Sequence, residues 1–569
     1  MKVLGIHYGG HDSAAALMVN GKLIAASSQE RYDHVKHSRA FPMGAINDCL
    51  KTAGIGIEEL DEIAFANDSM YKLREFYLKP ALENEERIKF LIEDFNKFKT
   101  TFEMENTIRK ETGFKGKINF YRHHLCHLAS CYYPSGFQDA LLISLDGIGE
   151  IDTGMYAIGK DGDINIVHNS TRYPDSLGLI YSAITFYLGW MHHCDEGIIM
   201  GLACYGKPHD QVPGHNQSYY EVFSDIIQEK GDIDYHINRD YIAYHEEKNK
   251  WVSDKFYALF GPKRDYSEEI TQHHKNIAAA LQLRLETVVL KHLKQLKETH
   301  KVNKLCIAGG VGLNCSMNGV IEKSKLFDEL FVQPASGDDG LTVGACYLAS
   351  VNAGLKIKPE KYHDFYLGTV FTEDEIKTAV ESSGAKFHKP EDVYEATAKL
   401  LSEGKIIAWH QGRSEFGPRA LGNRSILTKP FPASMKDYIN AKVKFREEFR
   451  PFAPAVLKEH CNTYFDIGQE SPHMLIACHV QPDKKDVIPA VVHVDNTCRV
   501  QTVGEDNNLR FRKLLEAFYK ETGVPVLLNT SFNVKGQPIV NTPDEAIQCF
   551  QSTAIDNLVV GDYILFKAP

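Results

Sequence analysis

The chain has 569 residues and a formal net charge of -11 at pH 7, with 43% hydrophobic and 11% aromatic residues. This length exceeds what one hydrophobic core supports, so we expect at least two large domains, and the composition excludes a disordered chain. The acidic balance disfavours nucleic acid as a partner, because a phosphate backbone binds best to a basic surface.

The same sequence argues against export or membrane insertion. No apolar run approaches the roughly 20 residues that span a bilayer. The start, MKVLGIHYGGHDS, lacks the apolar core of a signal peptide. The 12 cysteines include no CxxC pair. We therefore expect a cytoplasmic protein with reduced thiols, and the sequence leaves its oligomeric state open.

In chain order, the first part of the sequence predicts two copies of one α/β unit. The first copy has strands at residues 2–8, 14–19 and 22–28, a helix at 42–52 and a strand at 62–66. The second copy has strands at residues 140–146, 154–159 and 164–169, a helix at 270–298, a strand at 304–308, a helix at 309–320 and a strand at 329–333. This is the layout of the class that contains actin, hexokinase and the heat-shock chaperone ATPases, whose two similar lobes clamp a ligand, although periodicity alone supports only an α/β fold with a duplicated unit.

A second α/β region is predicted to follow. An alanine-rich helix at 341–352 closes the first part, and the stretch 354–371 has the composition of a linker. Beyond it we expect helices at 372–383 and 390–403 and strands at 405–410 and 524–528. We predict a duplicated actin-like domain at 1–355, a linker region at 356–385 and a second α/β domain at 386–569.

Two histidines and two aspartates form a candidate metal site. His123 and His127 are four residues apart, so on a helix they share one face. Asp146 ends a buried-type strand and Asp338 follows another, and ligands of open α/β sheets bind at such strand ends. These donors suit Fe(II), Mn(II) or Zn(II). The alternatives are a chance histidine pair and a zinc site using Cys126, although residue 126 falls on a different helix face.

A glycine-rich segment, AGGVGLNC at 308–315, joins a predicted strand to a predicted helix. Glycines at such a junction expose backbone N–H groups and a helix N-terminus, which suit a phosphate group. The segment lacks the GxxxxGK[ST] pattern of a Walker A loop. The residues that we expect to contact a nucleotide are Gly309, Gly310, Gly312 and Asn314.

Residues 412–456 concentrate positive charge in an otherwise acidic chain. From residue 413 to residue 450 there are nine basic residues, namely Arg413, Arg419, Arg424, Lys429, Lys436, Lys442, Lys444, Arg446 and Arg450. Only four acids interleave. Such a cluster indicates a compact anion site, since arginine binds phosphate or carboxylate with paired donors. The alternative, a solvated helical face, fits poorly with the prolines and glycines of GPRALG and FRPFAP. Arg499 and the segment LNTSFN at 528–533 could complete the polar wall.

These segments together resemble the O-carbamoyltransferases of antibiotic and Nod-factor biosynthesis. The matching text, in one order along nearly the whole chain, is HDSAAAL, HHLCHLAS, LDGIGE, SLGLIYSAITFYLGW, EGIIMGLACYG, AGGVGLNCSMNG, PASGDDG, GRSEFGPRALGNRSIL, FREEFRPFAP and LLNTSFN. The resemblance implies an N-terminal actin-like (ASKHA) domain and a C-terminal YrdC-like domain. It also implies a reaction in two steps, in which carbamoyl phosphate and ATP give carbamoyladenylate, and the carbamoyl group then moves to a hydroxyl of a small-molecule acceptor.

The resemblance assigns roles to particular residues. The family's metal motif falls on His123, His127, Asp146 and Asp338, with Fe2+ as the expected ion and Mn2+ or Zn2+ as alternatives. Mg2+ is expected with ATP. The family's carbamoyl phosphate and nucleotide residues fall on Arg419, Lys444, Arg450, Arg499, Asn529 and Ser531, with Arg419 and Lys444 also taken as catalytic.

The base of the transfer step and the acceptor are less determined. His11 and Asp12, in the first turn, are candidates to accept the proton of the acceptor hydroxyl or to orient the acceptor. The resemblance implies a lysine, in many members of the family, at the position where this chain has Ile198. A tRNA threonylcarbamoyladenosine enzyme and a carbamoyl-binding module of metal-cofactor maturation are alternatives; the acidic charge disfavours the first and the missing CxxC pairs the second. The acceptor could be a natural product or a sugar.

Overall fold

The computed structural model describes residues 1–85, 88–168, 171–247, 249–362 and 365–567. The last residue of the predicted strand 164–169 and residues 363–364 of the predicted linker lie outside these ranges. Within them, none of the helices combines the length and the apolar character needed to cross a bilayer.

Two five-stranded sheets of identical topology and a separate two-stranded sheet contain the strands of the first part of the chain. Its strands are β1 (Lys2–His7), β2 (Ala14–Val19), β3 (Lys22–Ser28), β4 (Glu62–Phe65), β5 (Lys117–Phe120), β6 (Asp139–Leu145), β7 (Gly154–Lys160), β8 (Asp163–His168), β9 (Ile227–Lys230), β10 (Asp234–Ile237), β11 (Lys304–Ala308) and β12 (Glu329–Val332). The five-stranded sheets have the orders β3-β2-β1-β4-β5 and β8-β7-β6-β11-β12. In both, the first three strands are antiparallel neighbours and the last two run parallel to the first. This repetition confirms the predicted duplicated actin-like unit.

Helices cover the two sheets. The long helix Gln272–His300 lies within two residues of its predicted bounds. The helix predicted at 309–320 begins later, at Cys315, because a 3-10 turn at Gly310–Leu313 and the capping residue Asn314 precede it. The other main helices of this part are Met43–Ala53, Met104–Thr112, His123–Tyr132, Leu177–Tyr187, Glu196–Ala203, Tyr219–Ile226, Asp254–Phe260, Cys315–Lys323 and Leu341–Asn352.

Two of these helices, His123–Tyr132 and Leu341–Asn352, pack between the sheets and carry or border the predicted metal ligands. They cross at Gly344, where a Cβ atom would lie 1.8 Å from the backbone oxygen of Cys126. Glycine is therefore required at this crossing, since any side chain would overlap the neighbouring backbone.

We expect Gly344→Ala to lower the free energy of unfolding by about 1–3 kcal/mol, because the overlap forces the two helices apart. Chemical denaturation measures this change. Gly197→Ala is the control, since a Cβ atom there meets nothing within 4 Å. Equal stability of the two variants would contradict the tight crossing.

The second part of the chain is built on a mixed eight-stranded sheet. Its strands, with a small three-stranded sheet, are β13 (Lys386–His388), β14 (Ile407–His410), β15 (Arg424–Thr428), β16 (Ala453–Leu457), β17 (Phe465–Asp466), β18 (Ala477–Val480), β19 (Thr497–Arg499), β20 (Gln501–Val503), β21 (Val526–Ser531), β22 (Asn557–Val560) and β23 (Tyr563–Phe566). The large sheet has the order β13-β23-β22-β14-β15-β21-β16-β20. Its helices include Glu373–Ser382, Val393–Ser402, Ser434–Ile439, Leu509–Thr522 and Pro543–Ser552. The predicted α/β class is confirmed here too, whereas the domain boundaries and the likeness to YrdC stay predictions.

The two parts share one hydrophobic core. Buried residues of the second sheet and of the eight-stranded sheet belong to the same apolar cluster. The helix Cys315–Lys323 lies at this junction, where the Asn318 amide donates to the Leu475 carbonyl at 2.9 Å. A Cβ atom on Gly319 would lie 2.2 Å from the backbone oxygen of Ala477. The second part of the chain therefore packs directly against the lobe of the first part that contains the sheet β8-β7-β6-β11-β12.

Candidate active site

The four predicted metal ligands converge at the interface between the lobes. His123 and His127 lie in the first turns of a buried helix, Asp146 follows β6, and Asp338 precedes the helix Leu341–Asn352. Both histidine Nε2 atoms approach Asp146 Oδ2, at 2.9 and 3.2 Å, and lie 3.1 Å from each other. One ligand atom from each of the four residues lies within 4.8 Å of the others.

This cluster fits a divalent cation. Two imidazole nitrogens and two carboxylates are a donor set that Fe(II), Mn(II) and Zn(II) share. Burial disfavours the charged form of His123, but Asp338 and Asp146 raise its pKa to about 9. Burial lowers the pKa of His127. A cation would replace the proton that these carboxylates attract. Among the described residues, Cys126 is not part of the cluster, which excludes the alternative zinc set there.

The glycine-rich turn orients one of the ligands. Asp146 Oδ1 accepts hydrogen bonds from the amides of Gly147, at 2.8 Å, and Gly310, at 3.1 Å, which leaves Oδ2 for the histidines. Gly309 has φ +90°, and a Cβ atom there would lie 2.2 Å from the Leu145 oxygen. Two of the predicted nucleotide residues are thus beside the metal cluster, with the Gly310 amide already engaged by Asp146.

The other two residues of this turn have structural contacts. A Cβ atom on Gly312 would lie 2.4 Å from Ser336 Oγ. The Asn314 side chain accepts from the Met317 amide at 2.9 Å and so caps the following helix, and it also bonds Gln282. Their predicted nucleotide contacts stay predictions.

A second histidine–carboxylate group lies around Asp12. The Nδ1 atoms of His11 and His37 lie 2.8 and 2.7 Å from the two oxygens of Asp12. Asp12 has φ +48°, a left-handed conformation in the turn that follows β1. Burial opposes a charge on His37, but Asp12 raises its pKa to about 10. The structure therefore brings the predicted His11 and Asp12 together and adds His37, which the sequence analysis missed.

Four of the nine predicted cations form a group with Arg499. They are Arg419, Lys444, Arg446 and Arg450. Partial burial, with the charges of Arg499 and Arg450, lowers the pKa of Arg419 to about 9. Burial and the same kind of repulsion lower the pKa of Lys444 and of Arg446 well below their usual ranges. Within the described residues, the Nε atoms of Arg419 and Arg499 are buried without hydrogen-bond partners. An anion bound here would relieve this repulsion.

The segment 529–533 forms a wall of this site. The buried Lys444 Nζ donates to the Ser531 carbonyl, to Ser531 Oγ at 3.2 Å and to Asn533 Oδ1 at 2.8 Å. Asn529, also buried, donates to Gln501 Oε1 at 2.9 Å. Lys444 and Ser531 are therefore in direct contact, and the predicted roles of Lys444, Asn529 and Ser531 in binding carbamoyl phosphate and ATP stay predictions.

Fewer than the nine predicted cations lie together at one site. The fully buried Arg424 donates to the carbonyls of Gln411 and Asn423 at 2.6 and 3.0 Å and so supports the loop before β15. Arg413 donates to the Ile24 carbonyl at 3.0 Å. Since these two side chains bind backbone, the idea that the whole charged stretch forms one anion site is wrong for them.

Arg446 is one of the nine predicted cations and Asn533 ends the predicted wall segment LNTSFN, but no local pattern singles out either residue. The hydrogen bond from Lys444 to Asn533 joins residues 89 positions apart. Ile198 is buried in the apolar core.

The cationic site faces the first part of the chain. Glu447 accepts hydrogen bonds from Trp190 Nε1 at 3.2 Å and from the Tyr266 hydroxyl at 3.1 Å. The segment from Lys444 to Arg450 is therefore held by residues of the preceding lobe.

Two family models match the chain. The model described as "Carbamoyltransferase N-terminus" matches residues 2–347, and the model described as "Carbamoyltransferase C-terminus" matches residues 398–567. The chain belongs to the carbamoyltransferase family. The His/Asp cluster of this carbamoyltransferase lies within the first match and the gathered cations lie within the second.

Curated relatives agree with this family. The chain is 35% identical to the nodulation protein NolNO of Sinorhizobium fredii, with 98% of this chain and 79% of that protein covered. It is 36% identical to an uncharacterized protein of Synechocystis sp., with 99% and 96% covered. It is 32% identical to the 3'-hydroxymethylcephem-O-carbamoyltransferase of Amycolatopsis lactamdurans, with 53% and 57% covered. This carbamoyltransferase is thus similar to a named O-carbamoyltransferase and is an enzyme.

Proposed function

We propose that this carbamoyltransferase forms carbamoyladenylate at the cationic site and transfers its carbamoyl group to an acceptor hydroxyl at the His/Asp cluster. The observation that carries the proposal is the gathering of Arg419, Lys444, Arg446, Arg450 and Arg499, where burial and mutual repulsion lower the pKa of Arg419, Lys444 and Arg446. ATP with Mg2+ and carbamoyl phosphate are both polyanions, and a preorganised cationic site offsets their repulsion.

The first step consists of two displacement reactions. Water cleaves carbamoyl phosphate to carbamate and phosphate, and a carbamate oxygen attacks the α-phosphorus of ATP, which expels pyrophosphate. This attack requires positioning and charge neutralisation. Arg419 and Arg499 offer the unpartnered donors, and Lys444 is fixed in place by Ser531 and Asn533.

In the second step, the acceptor hydroxyl attacks the carbamoyl carbon and AMP leaves. His11, oriented by Asp12, accepts the hydroxyl proton. His123, His127, Asp146 and Asp338 would hold a divalent metal ion, which supplies positive charge and Lewis acidity. The likeness to a cephem O-carbamoyltransferase supports a small-molecule acceptor.

The test of this function is pyrophosphate release by the purified full chain. We expect pyrophosphate from ATP only when carbamoyl phosphate and Mg2+ are both present. Acetyl phosphate in place of carbamoyl phosphate is the matched control, since it carries a similar charge but yields no carbamate. Pyrophosphate release at the background level in the presence of ATP, carbamoyl phosphate and Mg2+ would contradict the proposal.

A further inference from the structure

His7 is a buried histidine beside the metal cluster that none of the preceding assignments uses. It is the last residue of β1, only 3% exposed, and its ring stacks on Phe65 with centroids 6.1 Å apart. Among the described residues, neither of its ring nitrogens has a hydrogen-bond partner. A buried polar group without a partner is costly, so such a group calls for an explanation.

The nearest acceptor is a predicted metal ligand. His7 Nε2 lies 3.5 Å from Asp338 Oδ2, whereas Oδ1 of the same carboxylate lies 3.6 and 3.8 Å from the Nε2 atoms of His123 and His127. The two oxygens of Asp338 are therefore divided, with one toward the cluster and the other toward His7.

The two oxygens of Asp146 are divided in the same way, and both of them have hydrogen-bond partners. Its Oδ1 is held by two backbone amides and its Oδ2 faces the histidines. His7 occupies, for Asp338, the place that those amides occupy for Asp146. By contrast, the neighbouring buried His124 has both nitrogens engaged, by Ser144 Oγ at 2.8 Å and by the Asp152 carbonyl at 2.9 Å.

We propose that His7 is a positioning residue of the metal centre, whose Nε2–H donates to Asp338 Oδ2 and so presents Oδ1 to the ion. The inference rests on the metal centre proposed above. A bound cation fixes Asp338, and the 3.5 Å separation then shortens to a hydrogen bond. Groups that orient metal ligands in this way change metal affinity by about 10–100-fold when they are removed.

The test is Mn2+ binding to the metal-free full chain, followed by electron paramagnetic resonance. His7→Phe keeps the ring and removes the donor, so we expect Mn2+ affinity to fall by about 10–100-fold. His7→Gln places an amide donor near the position of Nε2, and we expect it to restore most of the affinity. His292→Phe is the matched control, since His292 is equally buried but bonds Tyr156 instead.

The two His7 variants test the positioning role and the donor role separately. Unchanged Mn2+ affinity in His7→Phe overturns the positioning role, and an equal loss in His7→Phe and His7→Gln overturns the donor role. A thermal unfolding curve of each metal-free variant separates lost affinity from lost folding. If the wild-type chain itself binds no Mn2+, the metal centre fails together with this inference, whereas pyrophosphate release at the cationic site is unaffected and remains a separate measurement.

Discussion

Replacing Arg419 with methionine is expected to lower the rate of carbamoyl phosphate-dependent pyrophosphate release by about 10²–10³-fold, because a cation that stabilises the developing charge is lost. Methionine retains much of the side-chain volume. Since Arg499 and Arg450 repel Arg419 in the free protein, we also expect Arg419→Met to unfold no more easily than the wild type.

The control for this variant is Lys442→Met, which removes the same charge from an exposed position two residues before Lys444. It should keep the wild-type rate of pyrophosphate release. A similar loss in both variants would mean that overall charge, rather than the gathered cations, governs the step. A marked loss of stability in Arg419→Met would identify that arginine as structural.

Asp146→Asn is expected to separate the two steps. The isosteric amide keeps the bonds from Gly147 and Gly310 but removes the charge that faces His123 and His127. We expect bound metal to be lost and carbamoyl transfer to fall at least about 100-fold. Pyrophosphate release should remain near the wild-type rate, and mass spectrometry should detect carbamoyladenylate or its breakdown products.

Asp48→Asn is the matched control, because Asp48 is a buried aspartate on the helix Met43–Ala53, away from the cluster. It should leave metal content and transfer unchanged. If Asp146→Asn reduces pyrophosphate release as much as transfer, the assignment of the two steps to two separate sites is wrong.

The sequence predicted those features of the molecule that depend on the spacing of nearby residues. The i, i+4 spacing of His123 and His127 sufficed to place both side chains on one helix face. The alternation of strands and turns likewise predicted the repeated unit that the two sheets show. Asp338 was predicted because glycines and acids follow a strand there, a pattern with a known position in α/β sheets.

Contacts between distant segments were not predictable in this way. His7 reads from the sequence as one more residue of an apolar strand, and only the fold brings it to Asp338. His37 lies in a polar loop, where nothing nearby indicates that it will meet Asp12. Arg424 shows the converse error, since a charge in a basic motif was expected at an anion site but bonds backbone carbonyls.

The shared core at the junction has a consequence for recombining these enzymes. Cutting the chain there would leave an apolar face on each half, around the helix Cys315–Lys323 and β18. A chimaera that takes its C-terminal half from a relative must therefore also take a matching surface at Gly319 and Asn318. Recombination between relatives is thus easier within one part of the chain than across this junction.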